Sequence, residues 1–306
     1  MSNKSHKKKK YTRKLKNMNC NPGTKGKTIK KNSCLTQDVI QQLKTSFNKS
    51  HPGKTIRHTE PKKIWTDLKR KLKTCDREDC WLDTIHDPLV RRKIDKLSFA
   101  PDRPADWKKK PDAWLSNFDI RDVLKQYEPL YKNFKLIGPT PIDFDSRPVD
   151  NDKECVWKDL CSFNLKQMID SGKTKLGIVF NLDKHGQGGS HWISMYVDLD
   201  DNYMFFMDSA GDTVPKQVDV LAKRIIKQGL ELSPKKHIHY HENCPMEHQY
   251  SDSECGMYSL YFIITMLTNK AEKKTFTNYV DKIAFFKKKR IPDTFIHKYR
   301  KKYFNS

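Results

Sequence analysis

Three side chains in the carboxyl-terminal half of the chain, Cys255, His191 and Asp208, are of the types that perform nucleophilic catalysis. A cysteine thiolate attacks a carbonyl carbon when a histidine takes its proton and a carboxylate holds the imidazole ring. Cys255 follows the polar run 251–254 and begins an apolar run that continues to Leu267, which predicts the first turn of a buried helix. The positive end of the helix dipole favours a thiolate there. A buried cysteine without such partners is more often an inert apolar residue, so the partners carry the prediction.

A predicted β-hairpin decides whether the histidine and the carboxylate can meet. Apolar patterning predicts strands at 191–199 and 203–207 with a turn at 200–202. A two-residue turn there pairs His191 with residue 210 or 212, and it leaves Asp208 as a diagonal neighbour on the same face. A register slip of one residue would place the two side chains on opposite faces. Four other acidic residues flank the hairpin and compete for the role: Asp198, Asp200, Asp201 and Asp212.

The segments around this hairpin alternate between helical and extended patterns. Residues with apolar side chains at helical spacing predict helices within 35–72, 116–127, 156–169 and 218–228, and short extended runs lie at 176–182 and 237–241. Ser116, with Asp119 three residues later, is a helix-start signature. This mixture of elements predicts an α+β fold.

Charge is distributed unevenly along the 306 residues, whose formal net charge is +23. The first 37 residues contain 12 basic residues and no acidic one. Such a segment is either a solvated arm that attracts polyanions such as DNA or RNA, or a solubility tail. Prolines and mixed charges between residues 85 and 111 predict a linker. We therefore expect a basic disordered arm at 1–33, a helical arm subdomain and linker at 34–110, and a catalytic domain at 111–306.

The residues that could do chemistry also follow one another in a familiar order. That order is His191-Trp192, Phe206-Met207-Asp208, Gln249 and, six positions later, Cys255-Gly256. It resembles the SUMO-protease and adenovirus-protease superfamily of cysteine proteases, and Trp114-Leu115 matches the pair that opens the first catalytic-domain helix of that family. The likeness covers the chain from about residue 110 to about residue 270. Within the superfamily, the helical lead-in and lysine-rich ends are most similar to thiol proteases of large nucleocytoplasmic DNA viruses.

The resemblance implies a papain-like cysteine protease core of the SUMO-protease type. In that core a mixed sheet packs against the helix that carries the nucleophile, and here an N-terminal helical arm precedes it. By the same resemblance, His191 takes the proton from Cys255 and Asp208 holds the imidazole. The Gln249 side chain would join the Cys255 backbone N–H around the oxyanion.

The resemblance also implies a substrate. Trp114 and Trp192 would wall a narrow channel that admits only small residues, unless both are ordinary core anchors, and Gly256 would leave room for a substrate backbone. Proteins with Gly-Gly-X or Ala-Gly-X sites are then the expected substrates. The expected role is processing of viral structural precursors during virion maturation, in the virion and in the viral factory of the host cytoplasm. Two alternatives stay open: deconjugation of ubiquitin-like modifiers, and a nucleic-acid-binding packaging protein on a protease scaffold.

Neither a cofactor nor a metal is expected. His237, His239 and His241 alternate along an extended run, but no second ligand cluster stands at zinc-finger spacing. The amino terminus is charged without a following apolar stretch, and the apolar run from Cys255 is shorter than the roughly 20 residues of a membrane-spanning helix. We therefore expect neither secretion nor membrane insertion. The eight cysteines are accordingly expected to be free thiols.

Overall fold

Two units make up the chain, Met1–Ala100 and Pro101–Ser306. The computed structural model describes residues 14–73, 76–148 and 154–306. Each unit contains its own core, in which apolar side chains from separate helices or strands are buried against one another.

The division between the units differs from the predicted linker, which extended to residue 110. It lies after residue 100 instead, because the segment that follows is bonded to the carboxyl-terminal residues. The Arg103 N–H donates to the Asn305 carbonyl at 2.8 Å. Trp107 packs edge-on against Phe304, with 5.2 Å between ring centroids. A proline-rich sequence predicts a linker, but contacts with Asn305 and Phe304 make this segment part of the second unit.

The first unit is helical. Its α-helices are α1 (Gln37–Ser50), α2 (Pro61–Lys71) and α3 (Pro88–Ser98), and short 3-10 helices lie at Pro22–Thr24, Pro52–Lys54 and Asp79–Thr84. The apolar stripes that predicted helices between residues 35 and 72 form its core. Ile40, Leu43 and Leu68 are fully buried there together with Trp81.

Residues 14–33 belong to this unit, which differs from the disordered arm predicted for 1–33. The Asn21 N–H donates to the Ser98 carbonyl at 3.0 Å, and its Nδ2 donates to the Lys96 carbonyl at 2.7 Å. Hydrogen bonds between such distant parts of the chain leave no trace in a local charge pattern. Residues 1–13 of the predicted arm lie outside the described residues.

Cysteine pairing also departs from the prediction of free thiols. Cys20 and Cys34 form a disulfide with Cα atoms 5.0 Å apart, and Cys155 and Cys161 form another with Cα atoms 6.5 Å apart. The fold brings each pair within bonding reach, which reasoning from the absence of a secretion signal does not address. The free cysteines of the described part of the chain are Cys244 and Cys255.

The second unit combines helices with a five-stranded sheet. The strands of this sheet are β1 (Phe134–Pro141), β2 (Lys175–Asn181), β3 (Trp192–Asp198), β4 (Tyr203–Met207) and β5 (His239–Glu242), and a small sheet holds β6 (Lys270–Ala271) and β7 (Lys274–Thr275). A 3-10 helix at Ala105–Lys108 precedes the α-helices, which are α4 (Asn117–Lys125), α5 (Lys158–Cys161), α6 (Leu165–Asp170), α7 (Lys216–Leu230), α8 (Cys255–Thr268), α9 (Tyr279–Lys288) and α10 (Asp293–Tyr303).

The five-stranded sheet is mixed and follows the order β1-β2-β3-β4-β5. β1 is parallel to β2, β3 is antiparallel to both of its neighbours, and β5 is parallel to β4. In the β3–β4 hairpin, Asp198 pairs with Tyr203 and Ser194 pairs with Met207. This is the register that a two-residue turn at 200–201 predicts.

Helices cover both faces of this sheet. Side chains alternate along its strands, so each face presents apolar side chains that the helices bury. Ile193, Met195 and Phe206 pack in one cluster with α7, whereas Tyr196 and Phe205 pack in the other with α8. Helix α8 is buried from its first residue to its last turn. The sheet therefore packs against the helix that begins at the candidate nucleophile.

Among the described residues, no helix has the length and apolar character that crossing a membrane requires. In that same part of the chain, no three His, Cys, Asp or Glu side chains come together as a metal-binding group. His239 and His241 lie on β5, at the edge of the sheet.

Gly177 allows β2 to lie close to α8. A Cβ atom at this position would meet Ile263 Cγ2 at 2.9 Å and Phe134 Cε2 at 3.0 Å. We expect Gly177→Ala to lower the free energy of unfolding by about 1–3 kcal/mol, because these core side chains must shift. Urea unfolding followed by tryptophan fluorescence measures the change. Gly188→Ala is the matched control, since no atom lies within 4 Å of a Cβ there, and equal stability of the two variants would contradict the packing.

Candidate active site

Cys255, His191 and Asp208 lie together where β3, β4 and α8 meet. Cys255 is the first residue of α8 and is 2% exposed. His191 directly precedes β3 and Asp208 directly follows β4, so the antiparallel pairing brings both to one end of the hairpin. The helix begins at Cys255 because the polar run 251–254 ends there and the apolar residues that the core requires begin.

His191 is paired with Asp208, and Cys255 also acts on its charge. Its Nε2 lies 2.7 Å from Oδ1 of Asp208, and both Asp208 and Cys255 favour the protonated ring. Burial of the ring opposes its charge, but these two partners outweigh burial and raise the pKa of His191 to about 10. The imidazolium is thus the stable form at neutral pH.

Asp208 is held by bonds beyond the one to histidine. Its Oδ1 also accepts from the Ala210 N–H at 2.8 Å. The buried Asn243 side chain bonds the Asp208 backbone twice, accepting from its N–H at 2.9 Å and donating to its carbonyl at 2.6 Å. Of the competing carboxylates, Asp198 lies at the far end of β3 and pairs with Lys175 at 2.5 Å. The carboxylate that meets the histidine is therefore that of Asp208.

Gln249 lies in the loop that leads into α8, and its amide group is oriented by two serines. Its Oε1 accepts from the Ser209 hydroxyl at 2.8 Å, and its backbone N–H donates to the Ser209 carbonyl at 2.8 Å. Its Nε2 donates to the Ser251 carbonyl. An amide NH₂ group carries two hydrogens, so the bond to Ser251 leaves one for a further acceptor.

Trp192, Gly256 and Leu115 are in tight contact beside the nucleophile. Trp192 Nε1 donates to the Leu115 carbonyl at 3.0 Å. A Cβ atom on Gly256 would meet Leu115 Cβ at 3.2 Å and Trp192 Cδ1 at 3.3 Å. That Gly256 leaves room for a substrate backbone stays a prediction. The glycine permits close packing of this wall, which depends on Leu115, a residue that is distant in the sequence.

An open cavity of about 610 Å³ adjoins this wall. Trp114 and Trp192 both line it, Trp114 being 48% exposed and Trp192 only 9% exposed. Its lining includes the glycine-rich loop 183–189, where the Asp183 carboxylate accepts from the Gly189 N–H at 2.9 Å. Trp192 is thus largely a core residue, whereas Trp114 presents its ring to the cavity. A space of this size accommodates several residues of an extended peptide.

Local sequence patterns did not single out several residues that hold the site. Asn243 bonds to Asp208, and Ser209 bonds to Gln249. Arg300 bonds to the turn before the nucleophile. Ser209 adjoins Asp208 and Asn243 is an isolated polar residue, so neither carries a recognisable signal. Arg300 does carry one, because it falls on the buried face of α10 with Ile296 and Tyr299.

The fold and this site together define a class of protein. The crystal structure of the African swine fever virus protease superimposes on this chain with a TM-score of 0.62 at 20% sequence identity, and it covers 95% of this chain and 96% of that one. The chain accordingly shares the fold of that protease. The fold class predicted from the sequence is confirmed.

Sequence comparison points to one family. Residues 175–305 match the model of the Ulp1 protease family, C-terminal catalytic domain. A protein of Acanthamoeba polyphaga mimivirus named as a thiol protease is 33% identical over 187 residues, which make up 60% of this chain and 57% of that protein. An African swine fever virus protein named SUMO-1 cysteine protease is 24% identical over 283 residues, covering 88% of this chain and 90% of that protein. The match spans less than two thirds of the mimivirus protein.

The histidine pKa offers a test of the site that does not depend on catalysis. In histidine NMR of a ¹⁵N-labelled sample, we expect His191 to titrate near pH 10, and its pKa to fall in Asp208→Asn, because a neutral amide does not stabilise an imidazolium. His248 is the internal control, since burial lowers its pKa to about 4 and its Nδ1 accepts from the Ile291 N–H at 3.0 Å. Titration of wild-type His191 near its ordinary value would contradict the geometry.

The same pKa makes stability depend on pH. The folded-state pKa of His191 lies above its ordinary value of 6.5, so the folded protein holds a proton that the unfolded chain releases between these values. Its pairing with Asp208 therefore contributes fully below about pH 6.5, and the contribution is lost as pH rises through about 10.

Proposed function

We propose that the second unit hydrolyses peptide bonds, with Cys255 as nucleophile, His191 as acid and base, and Asp208 as the residue that orients the histidine. The observation that supports this assignment is the position of His191, whose Nε2 lies 2.7 Å from Asp208 Oδ1 and whose pKa both Asp208 and Cys255 raise. A nucleophile, a base and a carboxylate linked in this order are what covalent catalysis by cysteine requires.

The proposed reaction is an acyl transfer. The Cys255 thiolate attacks the carbonyl carbon before the scissile bond, and the negative charge moves to the carbonyl oxygen. The backbone N–H of Cys255, in the first turn of α8, and the remaining amide hydrogen of Gln249 stabilise this oxyanion. The His191 imidazolium gives its proton to the leaving amine. His191 then deprotonates a water molecule that hydrolyses the thioester, and the thiolate is restored.

Cleavage after small residues, at Gly-Gly-X or Ala-Gly-X sites, is the specificity that we propose. Support comes from the packing next to the nucleophile, where Leu115 and Trp192 lie against Gly256. Bulky side chains on the residues before the scissile bond find little space beside this wall. Trp114, exposed at the cavity, covers the approach from the other side in this proposal.

The physiological role that we propose is processing of viral structural precursor proteins during virion maturation, in the virion and the viral factory of the host cytoplasm. It draws on the viral proteases that the chain is similar to. Deconjugation of ubiquitin-like modifiers is a second candidate, because one viral relative bears the name SUMO-1 cysteine protease. Both roles use the same chemistry, on a peptide bond in one case and on an isopeptide bond in the other.

Cys255→Ala should abolish cleavage of a Gly-Gly-X reporter peptide while the circular dichroism spectrum stays that of the wild type, because only the nucleophile is lost. Cys244→Ala is the matched control, since Cys244 is the other free thiol of the described residues, and it should retain full turnover. Measuring kcat/KM for the peptide and for a SUMO–lysine isopeptide conjugate separates the two roles. Turnover by folded Cys255→Ala would remove the proposal, and so would inactivation by Cys244→Ala alone.

Binding to DNA or RNA through the basic termini is a separate proposal. Residues 1–13 contain six basic side chains and no acidic one, although they lie outside the described residues. Helix α10 adds exposed Lys298 and Lys302. Deleting residues 1–13 should weaken DNA binding and reduce the slope of log affinity against log salt, because fewer counterions are released. Peptide cleavage without DNA should be unaffected, and an unchanged slope would exclude the segment from the contact.

A further inference from the structure

Arg300 in α10 is a buried cation, 3% exposed, whose side chain contacts two separate parts of the active site. Its Nε lies 3.1 Å from each carboxylate oxygen of Glu254, the residue before Cys255. Its Nη2 donates to the Ser253 carbonyl at 3.0 Å. The turn that presents the proposed nucleophile is thus bonded to the carboxyl-terminal helix.

The same guanidinium holds the segment before Trp114-Leu115, which leads into the channel wall formed by Leu115, Trp192 and Gly256. Nη1 donates to the carbonyls of Pro111 at 3.1 Å and Ala113 at 2.8 Å, and Nη2 donates to the Asp112 carbonyl at 3.3 Å. These residues directly precede Trp114-Leu115. One side chain therefore bridges the start of the wall and the turn before the nucleophile.

Glu254 explains why a cation is needed at this point. Its carboxylate is buried one residue before Cys255, where an unpaired negative charge would oppose a thiolate. Arg300 compensates this charge, and His297 Nδ1 lies 3.0 Å from Glu254 Oε1 as a further partner. A lysine would supply the charge but not the planar fork of five donors that reaches a carboxylate and several carbonyls at once.

Helix α10 also supports the earlier part of this loop. At its first residue, the Asp293 carboxylate accepts from the Tyr250 N–H at 3.1 Å and from the Ser251 hydroxyl at 3.2 Å. Tyr250 and Ser251 directly follow Gln249. The loop between the proposed oxyanion donor and the nucleophile is thus bonded near both of its ends to a single helix.

We propose that Arg300 is a positioning residue that sets the distance between the nucleophile turn and the channel wall. It touches neither substrate nor reacting atoms, and it acts through Glu254, Ser253 and the residues before Trp114. The importance of this distance rests on the proposed function, in which a peptide lies between Cys255 and that wall.

The test compares Arg300→Lys with a buried-cation control, Lys282→Met. Lys282 is buried in α9, and its Nζ donates to the Met266 carbonyl at 3.2 Å and to Asn269 Oδ1 at 2.8 Å, at the other end of α8. Both variants should lose stability in urea. Only Arg300→Lys should lower kcat/KM for the Gly-Gly-X peptide, by about 100-fold, because a misplacement near 1 Å costs that much in rate. The loss should appear in kcat and not in KM alone.

A second readout separates this proposal from the proposed function. The rate at which iodoacetamide alkylates Cys255, relative to Cys244 in the same molecule, requires no peptide, and Arg300→Lys should slow it. If Arg300→Lys does not fold, Glu254→Gln and Asp293→Asn replace it in both measurements. These two residues take part in the bonds that join the two ends of the loop to α10. Kinetic constants and alkylation within about twofold of the wild type in a folded Arg300→Lys would show a purely structural role. An equal loss of activity in Lys282→Met would show the same.

Discussion

Enclosure of α8 between the sheet and the carboxyl-terminal helices is the constraint from which the site follows. Phe262 packs edge-on against Phe205 of the sheet at 5.3 Å between centroids, and Tyr261 packs against Tyr299 of α10 at 4.8 Å. A helix enclosed in this way shifts only by breaking close-packed contacts on both sides. Cys255, at the first residue of this helix, is therefore held by the packing of the core.

Because α8 is buried, the polar groups near its first residue require hydrogen-bond partners. The Tyr258 hydroxyl donates to the Ile291 carbonyl at 2.6 Å, and Glu254 is paired with Arg300. Buried polar groups without partners would be costly, so these bonds and the apolar packing must form together. The β3–β4 hairpin positions the histidine and the carboxylate. Asn243, which directly follows β5, holds Asp208 by accepting from its N–H. Each reactive group thus lies at the end of a helix or strand, and residues distant in the sequence hold Asp208 and the turn before Cys255.

Local patterns predicted the elements around Cys255, His191 and Asp208 well. Helix α8 begins at Cys255 and β4 spans Tyr203–Met207, as the polar-to-apolar change and the hairpin turn indicate. Ser116 and Asp119 form a capping box, which their spacing predicts. In these cases the determining contacts lie within a few residues of one another.

Features that depend on distant contacts were missed. Strand β1 contains Pro139 and Pro141, which argue against a strand, yet it pairs in parallel with β2. The helix predicted at 156–169 is two short helices, because the Asn164 side chain caps the second by accepting from the Gln167 N–H at 2.9 Å. The structure of residues 14–33, the disulfides Cys20–Cys34 and Cys155–Cys161 and the packing around Gly256 likewise arise from partners that no local window contains.

The bonds from α10 to the nucleophile turn have a consequence for the synthesis of the protein. Cys255, His191 and Asp208 all leave the ribosome before Arg300 does, since translation proceeds from the amino terminus. While the chain is growing, the buried carboxylate of Glu254 has no guanidinium partner, and Pro111, Asp112 and Ala113 are not yet joined to the turn. By the proposed role of Arg300, the turn before Cys255 is held in place only after α10 has docked.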